Sequence, residues 1–237
     1  MKFLLLGLFI FFTNILSAQI NFEKLKQVAN TAEEVINPTT KDEVVKGIKE
    51  ALIVGAKNSV LNASEKGGFN NNSLIKISFP KSTGKMKDIL IKVGMRSQVD
   101  NLEFVLNEAA EEASFFAKEI LLNAVKKMTV NNAIAILNGS DHDATLYLKK
   151  QTSREIYVKL HPIVKESIEK VKLGKYWNIL IERYNQIPLT KKVNTDLAEY
   201  VTIETIEGLF LLISQEEKNI RNNPQARVSD ILQKVFK

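Results

Sequence analysis

Residues 195–213 read TDLAEYVTIETIEGLFLLI. Thr195 has a side chain that can accept a hydrogen bond from the first turn of a helix. Behind it, Ile203, Ile206, Leu209, Phe210, Leu212 and Ile213 set apolar groups on nearly every side of that helix. Such a helix is buried on most of its circumference, so other elements must surround it. The neighbouring segments read as helices too. Thr40 can cap a helix with Asp42 and Glu43 in its first turn, where the helix dipole favours anions. Val44, Val45, Ile48, Ala51, Leu52 and Gly55 then recur at helical spacing, to about Ala63. Residues 22–36 form a modest helix closed by Asn37-Pro38. A long helix spans residues 97–128, bent near Ser114. Its apolar face carries Val99, Leu102, Val105, Leu106, Ala109, Ala110, Ala113 and Ala117, and the alanines allow a neighbour to approach closely.

Thr129 caps a short helix ending at Asn138-Gly139, where Gly139 suits a left-handed position. Ser140 starts another helix that turns Ala144, Tyr147, Leu148, Ile156 and Leu160 to the core and kinks at Pro162. Residues 173–184 and 230–236 are helical. One stretch departs from this pattern. After the loop Gly67-Gly68-Phe69-Asn70-Asn71-Asn72, the residues Ile75, Ile77 and Phe79 alternate with Lys76 and Ser78 until Pro80. A single strand cannot make a sheet, so this is an extended arm laid over helices. The expected fold is all-α: one compact multi-helix domain with one short extended arm, over residues 19–237. No internal repeat, low-complexity linker or second core divides it.

Composition agrees. The 237 residues are 45% hydrophobic and 25% charged, as in an ordinary globular chain rather than a disordered one. Only 10 glycines and 5 prolines disfavour a turn-rich all-β fold. The absence of cysteine excludes disulfides, thiolate metal sites, cysteine nucleophiles and a lipidated N-terminal cysteine. Residues 1–18 read as a secretory signal peptide: Met1-Lys2, an apolar run from Phe3 to Phe12 broken only by Gly7, then Leu16-Ser17-Ala18 before a cut near Gln19. The rival reading is an uncleaved anchor, but the run is shorter than the roughly 20 residues that span a bilayer. The expected mature protein is soluble and periplasmic, and is not a lipoprotein.

Charge is uneven. Residues 145–192 hold 11 basic and 4 acidic groups, whereas residues 19–144 hold 16 of each and residues 193–237 hold 5 and 7. The excess includes Lys149, Lys150, Arg154, Lys159, Lys165 and Lys170. It is either a solvated helix face paired with acidic surface elsewhere or a patch for an anionic partner. Export makes nucleic acid the least suitable such partner.

Residues with chemical potential are few. Asp141-His142-Asp143 could ligate a metal, but Ser140-x-x-Asp143 fits a capping box, and three consecutive helical side chains point in different directions. His161, the only other histidine, sits among apolar residues. Glu103, Glu108, Glu111 and Glu112 form an acidic stretch, either a solvated or ion-paired face or carboxylates for glycoside hydrolysis. Glu111 stands out among them because it lies beside the alanine face. Tyr176-Trp177 suits packing, with stacking on a sugar or seating at a lipid interface as alternatives. No Gly-x-Ser-x-Gly elbow, Walker loop or dinucleotide fingerprint occurs. No cofactor is expected.

A group of segments carries a resemblance. They are Gly68-Phe69…Ile75-Lys76-Ile77, Asn107…Ala109-Ala110-Glu111, Ile136-Leu137-Asn138-Gly139…Asp141…Ala144-Thr145…Tyr147, and Tyr200-Val201-Thr202…Gly208-Leu209-Phe210…Glu216-Glu217-Lys218…Ile220-Arg221. In this order they resemble an uncharacterised exported bacterial family, domain-of-unknown-function family 4197, over about residues 41–237. The sequence departs from the family pattern at Ser140, where a second glycine is usual, at Leu148, where an aromatic is usual, and near Phe115, where a proline is usual. The resemblance implies an all-helical periplasmic domain and no particular reaction.

The expected function is a non-catalytic binding or interaction module of the cell envelope, with Asn107, Glu111, Asp141, Thr145, Tyr147, Thr152, Lys149, Lys150 and Arg154 as its candidate site. Its partner would be an anionic envelope component or another envelope protein. The alternative is a hydrolase of an envelope polymer using Glu111 and Asp141. Convergence of the polar candidates in one concave pocket would favour a site; scatter, with each bonding locally, would favour the module.

Overall fold

Several helices begin where a side chain satisfies their first N–H groups: Thr40, Thr129 and Asp196 each accept a backbone N–H of the first turn. The computed structural model describes residues 39–170, 177, 179, 181–182, 184–186, 188, 192 and 196–236. The leader, the helix over residues 22–36, Tyr176 and most of residues 171–195 lie outside them.

The described residues hold eight α-helices and no strand. Helix α1 (Lys41–Ser64) starts at Thr40, whose side chain accepts from Glu43 N while the Glu43 carboxylate accepts from Thr40 N. The sequence showed the Thr40 cap and the acidic first turn, and the structure adds the return bond to the Glu43 carboxylate that makes the box reciprocal. Helix α2 (Gly84–Lys92) is absent from the sequence reading, which ran from Pro80 straight to the long helix. Its signals are Met86 and Leu90, four apart and both buried, and Gly94 at φ +87°, a conformation open to glycine. Met95 N bonds back to Leu90 O at 2.9 Å, the six-to-one closure that such a glycine permits.

The long helix is two. Helix α3 (Arg96–Ser114) stops at Phe115-Phe116, and α4 (Ala117–Lys126) resumes after it. The Ser114 hydroxyl donates to Ala110 O, a back-bond that bends helices. Helix α5 (Val130–Leu137) is capped by Thr129 as expected, in a box with Asn132. Gly139 is not left-handed; its value is the missing Cβ, which would strike the Asp143 carboxylate. Helix α6 (Asp143–Glu169) starts three residues later than expected and runs on through the exposed Pro162. Helix α7 (Leu197–Asn222) is capped by Asp196, whose side chain accepts from Glu199 N, rather than by Thr195, which lies outside the described residues. Helix α8 (Asp230–Val235) closes the chain.

Helix α7 runs through the middle, against α1, α3 and α6. Leu197, Val201, Ile206, Leu209, Phe210, Leu212 and Ile213 are buried around it, but Ile203 is 45% exposed and marks its solvent side. Helix α3 inserts Ala109, Ala110 and Ala113 between α1, α6 and α7, where small side chains let the backbones approach. The expected inward residues of α6 are buried, except that Tyr147 is half-buried.

The arm is extended, with Ile75, Ile77 and Phe79 buried and Lys76 and Ser78 exposed, the alternation the sequence carries. Phe79 meets the buried Trp177 edge-on, with centroids 5.3 Å apart, so Trp177 packs in the core. At Gly208 a Cβ would lie 2.9 Å from the Phe69 ring and 3.2 Å from Ile75 Cβ. A side chain there would push the loop and the arm off α7.

Candidate functional site

Glu103, Asn107 and Glu111 are spaced four apart on α3 and share one face. An isolated extended segment leaves its backbone N–H and C=O groups without partners, a cost when they are buried. These three side chains supply the partners. Asn107 Oδ1 accepts from Ile77 N and Asn107 Nδ2 donates to Ile77 O, both at 2.8 Å. Glu103 accepts from Phe79 N at 2.7 Å and pairs with Lys87 at 2.6 Å. Glu111, 6% exposed, accepts from Gly67 N at 3.0 Å and from Phe69 N and Asn70 N at 3.1 Å. Tyr200 closes the other edge, donating to Ser78 O at 3.1 Å. Burial, then the nearby Glu204 and Glu103 carboxylates, push the Tyr200 phenol up to about 12, so it remains a donor. Asn107 and Glu111 are therefore brought together, as the partners of an arm and a loop.

A second cluster joins two helix ends. The N-terminal N–H groups of α6 and the C-terminal carbonyls of α5 have no partners within their helices. Glu217 of α7, 8% exposed, accepts from Ala144 N at 3.0 Å and from Thr145 N and Oγ1 at 2.8 Å. Arg221, one turn on, pairs with Glu217 at 2.9 Å and donates to Ile136 O at 2.8 Å. The negative group sits at a helix N-terminus and the positive group at a C-terminus, as the dipoles prefer. Glu217 thus does the capping that the sequence assigned to Ser140, while the Ser140 hydroxyl binds the Asp143 carboxylate and lowers its pKa. Thr145 belongs to this cluster. Glu217 and Arg221 take a role here that no local sequence pattern assigns, because the helix ends they serve lie more than 70 positions away.

The Asp141-His142-Asp143 run diverges. Asp141 accepts from Asn222, His142 Nδ1 meets Ser214 Oγ at 2.6 Å, and Asp143 turns to Ser140. Among the described residues no group of three or more His, Cys, Asp or Glu side chains could hold a metal ion. His161 stacks on Tyr157 at 5.2 Å and approaches Thr202.

On α6, Lys150 and Arg154 are exposed one turn apart. Lys149 is half-buried and pairs with Glu207 of α7 at 2.6 Å. Neither Glu108 nor Glu112 pairs with these cations among the described residues; Glu112 accepts from Ser167. Thr152 donates to Leu148 O within its own helix, and Tyr147 borders the seam between α4 and α6.

The nine candidates therefore fall in five places: the arm latch, the Glu217 clasp, the Asp141 turn, the α4–α6 seam and the cationic side of α6. No curated protein and no solved structure matches the chain. The segments that the latch and the clasp draw together lie within residues 38–237, which match the model of a family described as "Protein of unknown function (DUF4197)", and the chain belongs to that family.

Proposed function

We propose that this is an exported, non-catalytic helical protein of the bacterial cell envelope that binds an anionic envelope component through the cationic side of α6. The observation that carries this reading is the contrast between two sets of polar groups. The buried carboxylates Glu111 and Glu217 are each engaged by three donors from the chain's own loops and helix ends, or by Arg221. Lys150 and Arg154 stand exposed, with no ion pair among the described residues. Like charges one turn apart repel by a few tenths of a kcal/mol, and an anionic partner relieves that repulsion. Export rests on the apolar run of residues 3–12 and the small residue Ala18.

The test is cosedimentation of the purified protein with vesicles of anionic or purely zwitterionic lipid, at low and high salt. Each basic group near an anionic surface contributes about 1 kcal/mol, screened by salt. Binding to the anionic vesicles alone, weakened by salt and abolished by Lys150→Glu/Arg154→Glu, is expected. Absence of binding, or binding indifferent to both salt and reversal, would sink the reading. N-terminal sequencing of the exported protein should begin near Gln19; retention of Met1 would contradict the leader.

A further inference from the structure

The seam between α4 and α6 opens into a crevice of about 400 Å³, within the size range of small-molecule sites. Its floor is small and quiet: Ala124, and Thr152 with its hydroxyl bonded to Leu148 O. Asn123 rises from α4 and Lys127 from its C-terminal cap, and Tyr147, Gln151 and Glu155 from α6. Asn123, Lys127, Gln151 and Glu155 are exposed, and Tyr147 is half-buried. Among the described residues none of these five side chains makes a hydrogen bond or ion pair with the rest of the protein. Asn132 adds an amide from α5. Its Oδ1 is held by Thr129, which turns Nδ2 free.

One helical turn beyond Ile120 and Glu155, Phe116 is 40% exposed with Lys159 Nζ 5.7 Å from its ring centre. From Phe116 to Lys127 the chain rises about 16 Å at 1.5 Å per residue. The crevice's own lining runs from Ile120 to Lys127, with Tyr147 toward one end and amides along it, and the exposed Phe116 lies one turn beyond the other end.

The lining decides the ligand class. One lysine and one glutamate cancel, so nothing here favours a net anion, unlike Lys150 and Arg154 on the flank of the same helix. The walls are polar, so an apolar helix or acyl chain would leave amides and charges buried without partners, a costly outcome. A primary amide donates and accepts at once, and can therefore bridge the adjacent hydroxyls of a sugar ring. An aromatic ring with an exposed face offers an apolar surface, and Tyr adds a polar tip. We propose that the α4–α6 crevice is a binding site for a neutral oligosaccharide several pyranose rings long. The site is separate from the cationic side of α6 and stands whether or not that side binds lipid.

The test uses isothermal titration of the purified protein with two probes, cellotetraose and tetra-N-acetylchitotetraose. The pair distinguishes a plain hydroxylated ring from an acetamido-bearing one. Binding of at least one, insensitive to salt, is expected. The double change Asn123→Ala/Gln151→Ala, at exposed positions, should weaken it about tenfold or more with an unchanged circular dichroism spectrum. Lys150→Glu/Arg154→Glu should leave it unaltered. Amide exchange adds a readout that needs no substitution: the bound probe should protect residues 120–127 and 147–155. Failure of both probes to bind would overturn the proposal. So would full binding by the Asn123/Gln151 variant, or protection confined to other segments.

Discussion

Glu111 and Glu217 are both buried carboxylates, and both hold backbone N–H groups of distant segments. They differ in counter-charge. Glu217 has Arg221 beside it at 2.9 Å, and that arginine reaches the end of α5. Glu111 has three backbone N–H groups and no ion pair among the described residues. The first arrangement ties two helix termini to a third helix through a charge pair. The second orders a loop by donors alone. The lesson is that a buried acid in this fold is a fastening for backbone, and its neighbours decide how costly its removal is.

The largest effect should come from breaking the charge pair. Glu217→Ala leaves Arg221 mostly buried without its partner and uncaps α6, so a loss of about 3–5 kcal/mol is expected. Urea unfolding would check it, and a loss below that of the Glu111 variants would invert the contrast. Next is Glu111→Gln. Its remaining oxygen can serve Phe69 N and Asn70 N, but its amide then faces Gly67 N, donor against donor. A loss of about 1–3 kcal/mol is expected, with amide exchange at Gly67 accelerated more than at Ile77. Uniform acceleration along the arm would mean that loop and arm are one unit.

Gly208→Ala probes the surface on which the Glu111-held loop and the arm rest. Alanine favours the helix by about 1 kcal/mol, but its Cβ meets the fully buried Phe69 and the arm at Ile75. Overpacking of this kind costs about 1–3 kcal/mol. A net loss of stability, read from the melting temperature, is the expected sign, and a gain would show that the loop moves aside freely.

The smallest effect belongs to a half-buried pair at the rim of the fold. The Lys234 ammonium, 2.8 Å away, and then Thr40 N hold the Glu43 carboxyl down at about 2, against an ordinary 4.5. Because the folded-state value is depressed, this stabilisation is present above about pH 4.5 and is lost as pH falls toward 2. Glu43→Gln should therefore lower the melting temperature slightly at pH 7 and not at pH 2. An equal shift at both would assign the effect to the cap and not to the charge.

Much of the helical frame was legible because local signals are strong. Thr40 and Thr129 cap, the α3 alanines recur at helical spacing, and Ile75, Ile77 and Phe79 alternate. What escaped depends on partners remote in sequence. The start of α6 at Asp143 is set by Glu217, 74 positions later, so the nearby Ser140-x-x-Asp143 pattern misled. The break at Phe115-Phe116 was legible only as a bend near Ser114, because no proline marks it, and α2 is only nine residues long. Of the candidate site, Asn107 and Glu111 stood out as binding candidates, and the structure gives them an internal task, holding the loop and the arm. Their task could not be read, because it is defined by the arm that lies across them. Asn123 and Gln151 gave no signal at all, since exposed amides on helices are ordinary until two helices bring them to one crevice.

The way the arm is fastened has a consequence for solubility. Ile75-Lys76-Ile77-Ser78-Phe79 is an apolar, extended stretch of the kind that recruits further chains by strand pairing when its edges are open. Here Asn107 occupies both polar groups of Ile77, Glu103 takes Phe79 N and Tyr200 takes Ser78 O. Side chains stand where a neighbouring strand would, and a side chain cannot extend a sheet. The chain thereby carries a strand-like segment whose Asn107 edge is occupied at Ile77 and Phe79 and whose other edge is held at Ser78 O, which leaves it a poorer template for a second strand.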